Sequence, residues 1–220
     1  MLRSIALCLV VSSAAALADT KPVAKPAAPP ASSTAPEVGS QAAPKGRFLI
    51  APKLGLWVPT SALSAAPMVG VEVGYVTPAL GDRLAVVLEL DWARPRTSGP
   101  VSDPRLSSSP QPWALGNATV GVLLSAVYRF EDLVPGLSPY GGAGPGLFFH
   151  RAAMVAFGNR YLETEGRLGF QLFAGADYTV GPGAVFLELR YHYVKIDLLS
   201  TGDANAGGFV LPGVGYRLRF

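Results

Sequence analysis

Cysteine is nearly absent: Cys8 is the only one in 220 residues, so no intrachain disulfide and no cysteine-based metal cluster can form. Histidine is almost as scarce, with His150 and His192 alone, a thin basis for a metal site. Charged residues make up 15% of the chain, against about 25% in an ordinary globular protein. Beyond Arg47 the only lysines are Lys53 and Lys195. The formal charge of +3 is small and carries no tight basic cluster, which excludes the footprint of a nucleic-acid binder. Long apolar runs are missing as well. After the first 18 residues no window approaches the roughly 20 apolar residues of a membrane helix, and the longest run, Ala118–Tyr128, is broken by Thr119, Gly121 and Ser125. With 25 Gly and 20 Pro, long helices are disfavoured throughout.

Half of the residues are nevertheless hydrophobic, so the chain needs either a large core or a surface that faces lipid. Residues 1–18 combine Arg3, the apolar run Ile5–Val11 and the small-residue end Ala16-Leu17-Ala18. That is the pattern of a cleavable secretory signal, with Cys8 in its apolar centre rather than at the cleavage site. Residues 19–46 carry Pro22, Pro26, Pro29, Pro30, Pro36 and Pro44 among Ala, Ser and Thr, with no aromatic residue. Such a segment cannot nucleate a core and reads as an extended linker.

From Arg47 the chain changes character. Eight segments rich in Val, Leu, Phe, Tyr and Gly are each bounded by turn residues: Phe48–Val58, Val69–Thr77, Arg83–Ala93, Asn117–Phe130, Pro139–His150, Gly166–Tyr178, Ala184–Ile196 and Gly208–Phe220. Successive side chains of a strand point to opposite faces, and these segments sort accordingly. Leu84, Val86, Leu88, Leu90 and Trp92 oppose Arg83, Glu89 and Asp91. Val185, Leu187, Leu189 and Tyr191 oppose Glu188, Arg190 and His192, and Leu218 and Phe220 oppose Arg217 and Arg219. Trp57 breaks the rule by sharing the parity of Lys53.

Alternating strands fit a soluble barrel with its apolar face inward or a membrane barrel with that face outward. Three features favour the membrane barrel. The polar face mixes single charges of both signs with glycines such as Gly55, Gly70, Gly121, Gly175 and Gly213, which suits a narrow interior. Aromatic residues gather near strand ends, with Trp92, Tyr191 and Tyr193 at one rim and Tyr75, Phe130, Tyr178 and Phe220 at the other, as in the girdles of outer-membrane barrels. Short connections (78–82, 131–138, 179–183) alternate with the longer Arg94–Gly116, Arg151–Glu165 and Asp197–Gly207. Short turns on the periplasmic side and long loops outside are the rule for such barrels.

The expected fold is therefore all-β: an eight-stranded antiparallel up-and-down transmembrane barrel over residues 47–220. Its last strand, Gly215-Tyr216-Arg217-Leu218-Arg219-Phe220, resembles the C-terminal signature of bacterial outer-membrane barrels, and the whole is similar to the small OmpA/OmpX-like barrel family. The resemblance implies residence in the bacterial outer membrane among its lipids, and reading of the terminal Phe220 by the barrel assembly machinery.

The two histidines are the natural candidates for catalysis. Some barrels of this kind are lipid hydrolases with a rim His and Ser, but Ala152 and Val194 stand where the Ser is needed, so no enzyme, metal or cofactor is expected. The lumen charges say more. An eight-stranded barrel is just wide enough for side chains to fill, and buried charges must pair. Lys53, Glu72, Glu89, Asp91, Asp177, Glu188 and Arg190 are expected to form a closed network. Arg83, Arg129, Arg217 and Arg219 should gather at the periplasmic mouth. The expected role is structural, or surface contact with an extracellular partner through loops 94–116 and 151–165. A narrow pore for ions or small solutes is the alternative, ahead of a rim hydrolase.

Overall fold

The computed structural model describes residues 47–103, 105, 107, 109–198 and 202–220. The expected signal (1–18) and linker (19–46) lie outside the described residues. The strands are β1 (Phe48–Pro59), β2 (Ala66–Val76), β3 (Leu84–Ala93), β4 (Arg96–Val101), β5 (Gln111–Arg129), β6 (Leu137–Ala156), β7 (Asn159–Val180), β8 (Gly183–Leu198), β9 (Gly202–Asn205) and β10 (Gly208–Arg219). Eight of them, β1, β2, β3, β5, β6, β7, β8 and β10, pair antiparallel in that order, and β10 bonds back to both β1 and β8. The sheet closes on itself, which leaves the wall without edges. Phe48 and Phe220 seal the seam with two mutual backbone hydrogen bonds of 3.0 Å.

The two parities of each strand meet different surroundings. Ile50, Val73, Leu88 and Leu124 are aligned across four consecutive strands, and all of them lie on the outside, with Leu88 53% exposed. Outward too are Leu54, Leu168, Leu172 and Leu187. So large and continuous an apolar surface is foreign to a monomer in water. The opposite parity is buried: Leu49, Ala51, Lys53 and Trp57 on β1, and Ala85, Val87, Glu89, Asp91 and Ala93 on β3. Trp57 thus belongs inside, where its ring sits 5.0 Å from that of His192.

Glycines make room for this interior. Gly70 is paired with Lys53 on one side and Asp91 on the other. A Cβ there would collide with the Asp91 carboxylate and come within 2.8 Å of Lys53 Cε. The Gly-rich β6 works the same way, since a Cβ on Gly142 would run into the Phe173 ring.

Two of the expected long loops prove to be strand. Residues 151–156 and 159–164 continue β6 and β7 as a ladder from Arg151↔Thr164 to Ala156↔Asn159. Phe157 (φ 52°) and Gly158 (φ 75°) close it as a two-residue turn with both central φ positive, the type I′ geometry whose twist matches its strands. Within 94–116, β4 pairs with Gln111–Gly116 of β5, and Trp113–Asn117 pair with β6. The third long connection holds β9, which pairs with the end of β8. A sheet of β4, β5, β6 and β7 therefore stands beyond the barrel wall.

Candidate functional site in the barrel lumen

Inward parity places one ionisable or polar residue after another on facing strands, and closure brings them together. Lys53 Nζ lies 3.6 Å from Glu72 Oε1 and 3.4 Å from Asp91 Oδ1, and it also contacts Glu89. Arg190 is the hub. Its Nε donates to Glu188 Oε1 at 2.8 Å and its Nη1 to Gln171 Oε1 at 2.7 Å and to Glu89, while Nη2 reaches Glu72 Oε1 at 3.3 Å. The Phe173 ring lies 4.3 Å beneath its guanidinium carbon, a cation–π contact that adds to the ion pairs.

Toward the end where the chain enters β1 and leaves β10, Arg217 bridges two carboxylates. Its Nη2 donates to Glu72 Oε2 at 2.9 Å and its Nη1 to Asp177. Arg129 donates to the other oxygen of Asp177. Tyr140 Oη donates to Glu188 Oε2 at 3.1 Å, and Gln171 Nε2 donates to Ser125 Oγ at 2.7 Å. Each of the eight wall strands supplies at least one member of this set.

The seven residues expected in the lumen network are all buried and joined by these contacts. Arg217 lies deeper than expected and links them to the mouth. Arg129 and the half-buried Arg219 remain at the mouth. Arg83 departs from the expected cluster: it stands one residue before β3, outside the ladder, and pairs with Glu131 at 2.6 Å on the exposed turn. Tyr140 and Ser125 are unexpected members. Tyr140 shares the even parity of Phe148 and His150 in β6, a signal hidden by the glycines between them.

Buried ion pairs are a weak source of stability, because desolvation offsets their attraction. What they supply here is registry. A slip of one residue turns every side chain to the other face, and a set that draws on every strand is satisfied in one closure only.

Beyond the charges the lumen turns apolar and aromatic. Phe148 lies between the two histidines, 6.4 Å from His150 and 5.5 Å from His192 by ring centres. His150 Nδ1 lies 3.0 Å from Thr119 Oγ1 and 3.3 Å from Asn117 Nδ2. Ala152 and Val194 are buried in an apolar cluster with Leu123 and Ile196. Among the described residues no group of three or more His, Cys, Asp or Glu could hold a metal ion. Phe220 is 70% exposed and stacks on Phe48, with ring centres 6.4 Å apart.

Comparison with known proteins agrees with this geometry. The family model described as "Outer membrane protein beta-barrel domain" matches residues 4–217. No curated protein matches. A major outer membrane protein from Thermus thermophilus is similar in structure, with a TM-score of 0.51 and 13% identity over 79% of this chain and 99% of that one. The Neisserial surface protein NspA gives a TM-score of 0.48 and 20% identity, covering 79% of this chain and 97% of its own. Ail of Yersinia pestis gives 0.47 and 18%, covering 79% and 99%. With the apolar face outward, the charges inward and the sheet closed, the chain belongs to the outer membrane protein β-barrel domain family, and its place is in the lipid of a bacterial outer membrane.

Proposed function

We propose that this barrel is a surface-contact protein of the cell envelope with a closed, charge-filled lumen, and that it is not an enzyme. The observation that carries the reading is the sheet beyond the wall. Pairing of β7 with β8 begins at Gly169↔Val194, so Asn159–Leu168 of β7 have β6 on one side and, among the described residues, no strand ladder on the other. Val155, Phe157, Tyr161 and Leu162 are exposed on this hairpin, between the charges of Arg151 and Arg160. A sheet edge with unpaired backbone groups and alternating side chains is a template for adding a strand from another protein. The long connections of such barrels lie outside the cell, which puts this edge where a partner meets it.

The lumen supports closure rather than a solute path. Arg190, Phe148, Tyr140, Phe186 and Leu123 fill it as fully buried side chains, and the inner charges around Arg190 are engaged with one another. In this reading residues 19–46 are a periplasmic linker and Phe220 is the residue that the assembly machinery reads.

The test is a shortened hairpin. Ala153 and Leu162 are paired across the ladder, so replacing everything between them by Asn-Gly leaves the wall intact. Cells displaying the full chain are expected to attach to immobilised extracellular matrix proteins about tenfold better than cells displaying the shortened one, a difference of about 1.4 kcal/mol. Both should show the same folded barrel on unheated gels. Equal attachment at equal display would remove the contact role.

A further inference from the structure

The mouth of the barrel gathers three arginines, one of which has no side-chain partner among the described residues. Arg129, Arg217 and Arg219 line one small cavity there with Asp177, Ser138 and Thr179, and its volume is about 80 Å³. Asp177 is the one buried carboxylate among these, and Arg129 and Arg217 already share its two oxygens. Both of these guanidiniums are more than nine-tenths buried, and their Nη groups, which carry the bonds to Asp177, are the ends that line the cavity. Arg219 is half-buried beside them, and its side chain makes no hydrogen bond or ion pair among the described residues. A partly buried guanidinium without an acceptor favours binding of one. Asp132 on the rim is exposed and taken up by the Ser138 hydroxyl.

We infer that this mouth is a binding site for a tetrahedral, doubly charged oxyanion of the phosphate type. Guanidinium forks match the geometry of phosphate oxygens and bind them in pairs. Arg217 serves both Asp177 and Glu72 and Arg129 serves Asp177, so the N–H groups left for the ligand are chiefly those of Arg219 and the remaining Nη protons of Arg129. The Thr179 hydroxyl flanks them as a neutral donor. The cavity has room for such an ion with a few waters, and is too small for a nucleotide. The anion would sit on the side where the short turns 181–182 and 130–136 lie, facing the periplasm. Arg217 separates it from the inner carboxylates, and the two that line the cavity are engaged, Asp177 by Arg129 and Arg217 and Asp132 by Ser138. This inference is independent of the contact role of the outer sheet.

The experiment uses the refolded barrel in uncharged maltoside micelles free of phosphate. Sodium phosphate is titrated against sodium chloride of matched ionic strength, while the backbone amide signals of Thr179, Gly183 and Ala184 are followed by NMR. The expected result is a saturable displacement of those signals with phosphate alone. Arg219→Gln and Thr179→Val should each fold, since one residue is half-exposed without a partner and the other lies at a strand end. The first is expected to weaken phosphate at least about tenfold, and the second less. Arg83→Gln, on the exposed turn, should leave the titration unchanged. A second arm places the barrel in phosphatidylcholine nanodiscs with phosphatidic acid and no free phosphate. The same displacement there assigns the anion to a lipid headgroup, and its absence there assigns it to a soluble phosphate. Signals that fail to saturate, that respond equally to chloride, or that move as readily in Arg219→Gln would overturn the site.

Discussion

Arg190→Met is expected to destabilise the refolded barrel by about 3–5 kcal/mol, the usual cost of removing one partner from a buried ion pair. The reason lies in what stays behind. Glu72, Glu89 and Glu188 each lean on this guanidinium, and all are buried. Lys53 touches Glu72 and Glu89, and Arg217 touches Glu72, so those two carboxylates keep a cation. Glu188 is left leaning on the Tyr140 hydroxyl. The measurement is urea unfolding in lipid vesicles, read from tryptophan emission. A companion variant, Arg190→Met with Glu188→Met, replaces charge and countercharge by apolar volume and should recover most of the loss. If the single variant is as stable as the parent, the ion pairs are not sealed from water.

Leu88→Arg should cost about 2–4 kcal/mol in the same assay, the depth-dependent penalty for an arginine at the lipid midplane. Leu88 lies mid-strand in β3, exposed, and flanked by Val73 and Leu124. In a soluble barrel the same position would face water, where an arginine costs within about half a kcal/mol. The size of the effect therefore reports which solvent the face meets. The converse change, Arg160→Leu, lies on the exposed outer hairpin in water and should be near neutral.

Both predictions use face assignments that are legible in the sequence itself. Period 2 survives in the wall because one parity must meet lipid and the other must fit a lumen, so a misplaced residue is costly on either side. The outer hairpin has the sequence character of a loop because its β7 half is exposed on both faces, and the buried residues of its β6 half, Ala152 and Ala156, are too small to mark a pattern. Val155, Phe157, Arg160 and Glu163 show no sorting, and the turn begins with Phe157 where Asn or Asp is the usual signal. The 94–116 segment is obscured by Pro95, Pro100, Pro104, Pro110 and Pro112, residues that suit an edge such as β4 but mask a strand pattern.

For the lumen, parity tells which charges point inward and leaves their pairing open. Arg190 and Glu72 are 118 positions apart, and which carboxylate an arginine meets across the barrel depends on tilt and shear. Parity with Glu89 would put Arg83 at the mouth, but Arg83 ends the wall, where its carbonyl still accepts from Arg129 N–H at 2.9 Å while its guanidinium turns out to Glu131 on the exposed turn. Trp57 looks like an exception to the aromatic rim and is a lumen residue, packed on His192.

The most direct test of the inverted sheet is site-specific labelling in lipid. In a chain with Cys8 removed, single cysteines at Leu88, Leu124, Leu172 and Leu187 carry a fluorophore, and unlabelled single cysteines are placed at Ser125 and Val87 on the opposite parity. Nitroxide groups on the acyl chains are predicted to quench the first four strongly, and a water-soluble maleimide should fail to reach the thiols at Ser125 and Val87 in the folded barrel. Rapid modification of the Leu88 and Leu187 cysteines by the aqueous reagent, without quenching from the acyl chains, would contradict the account.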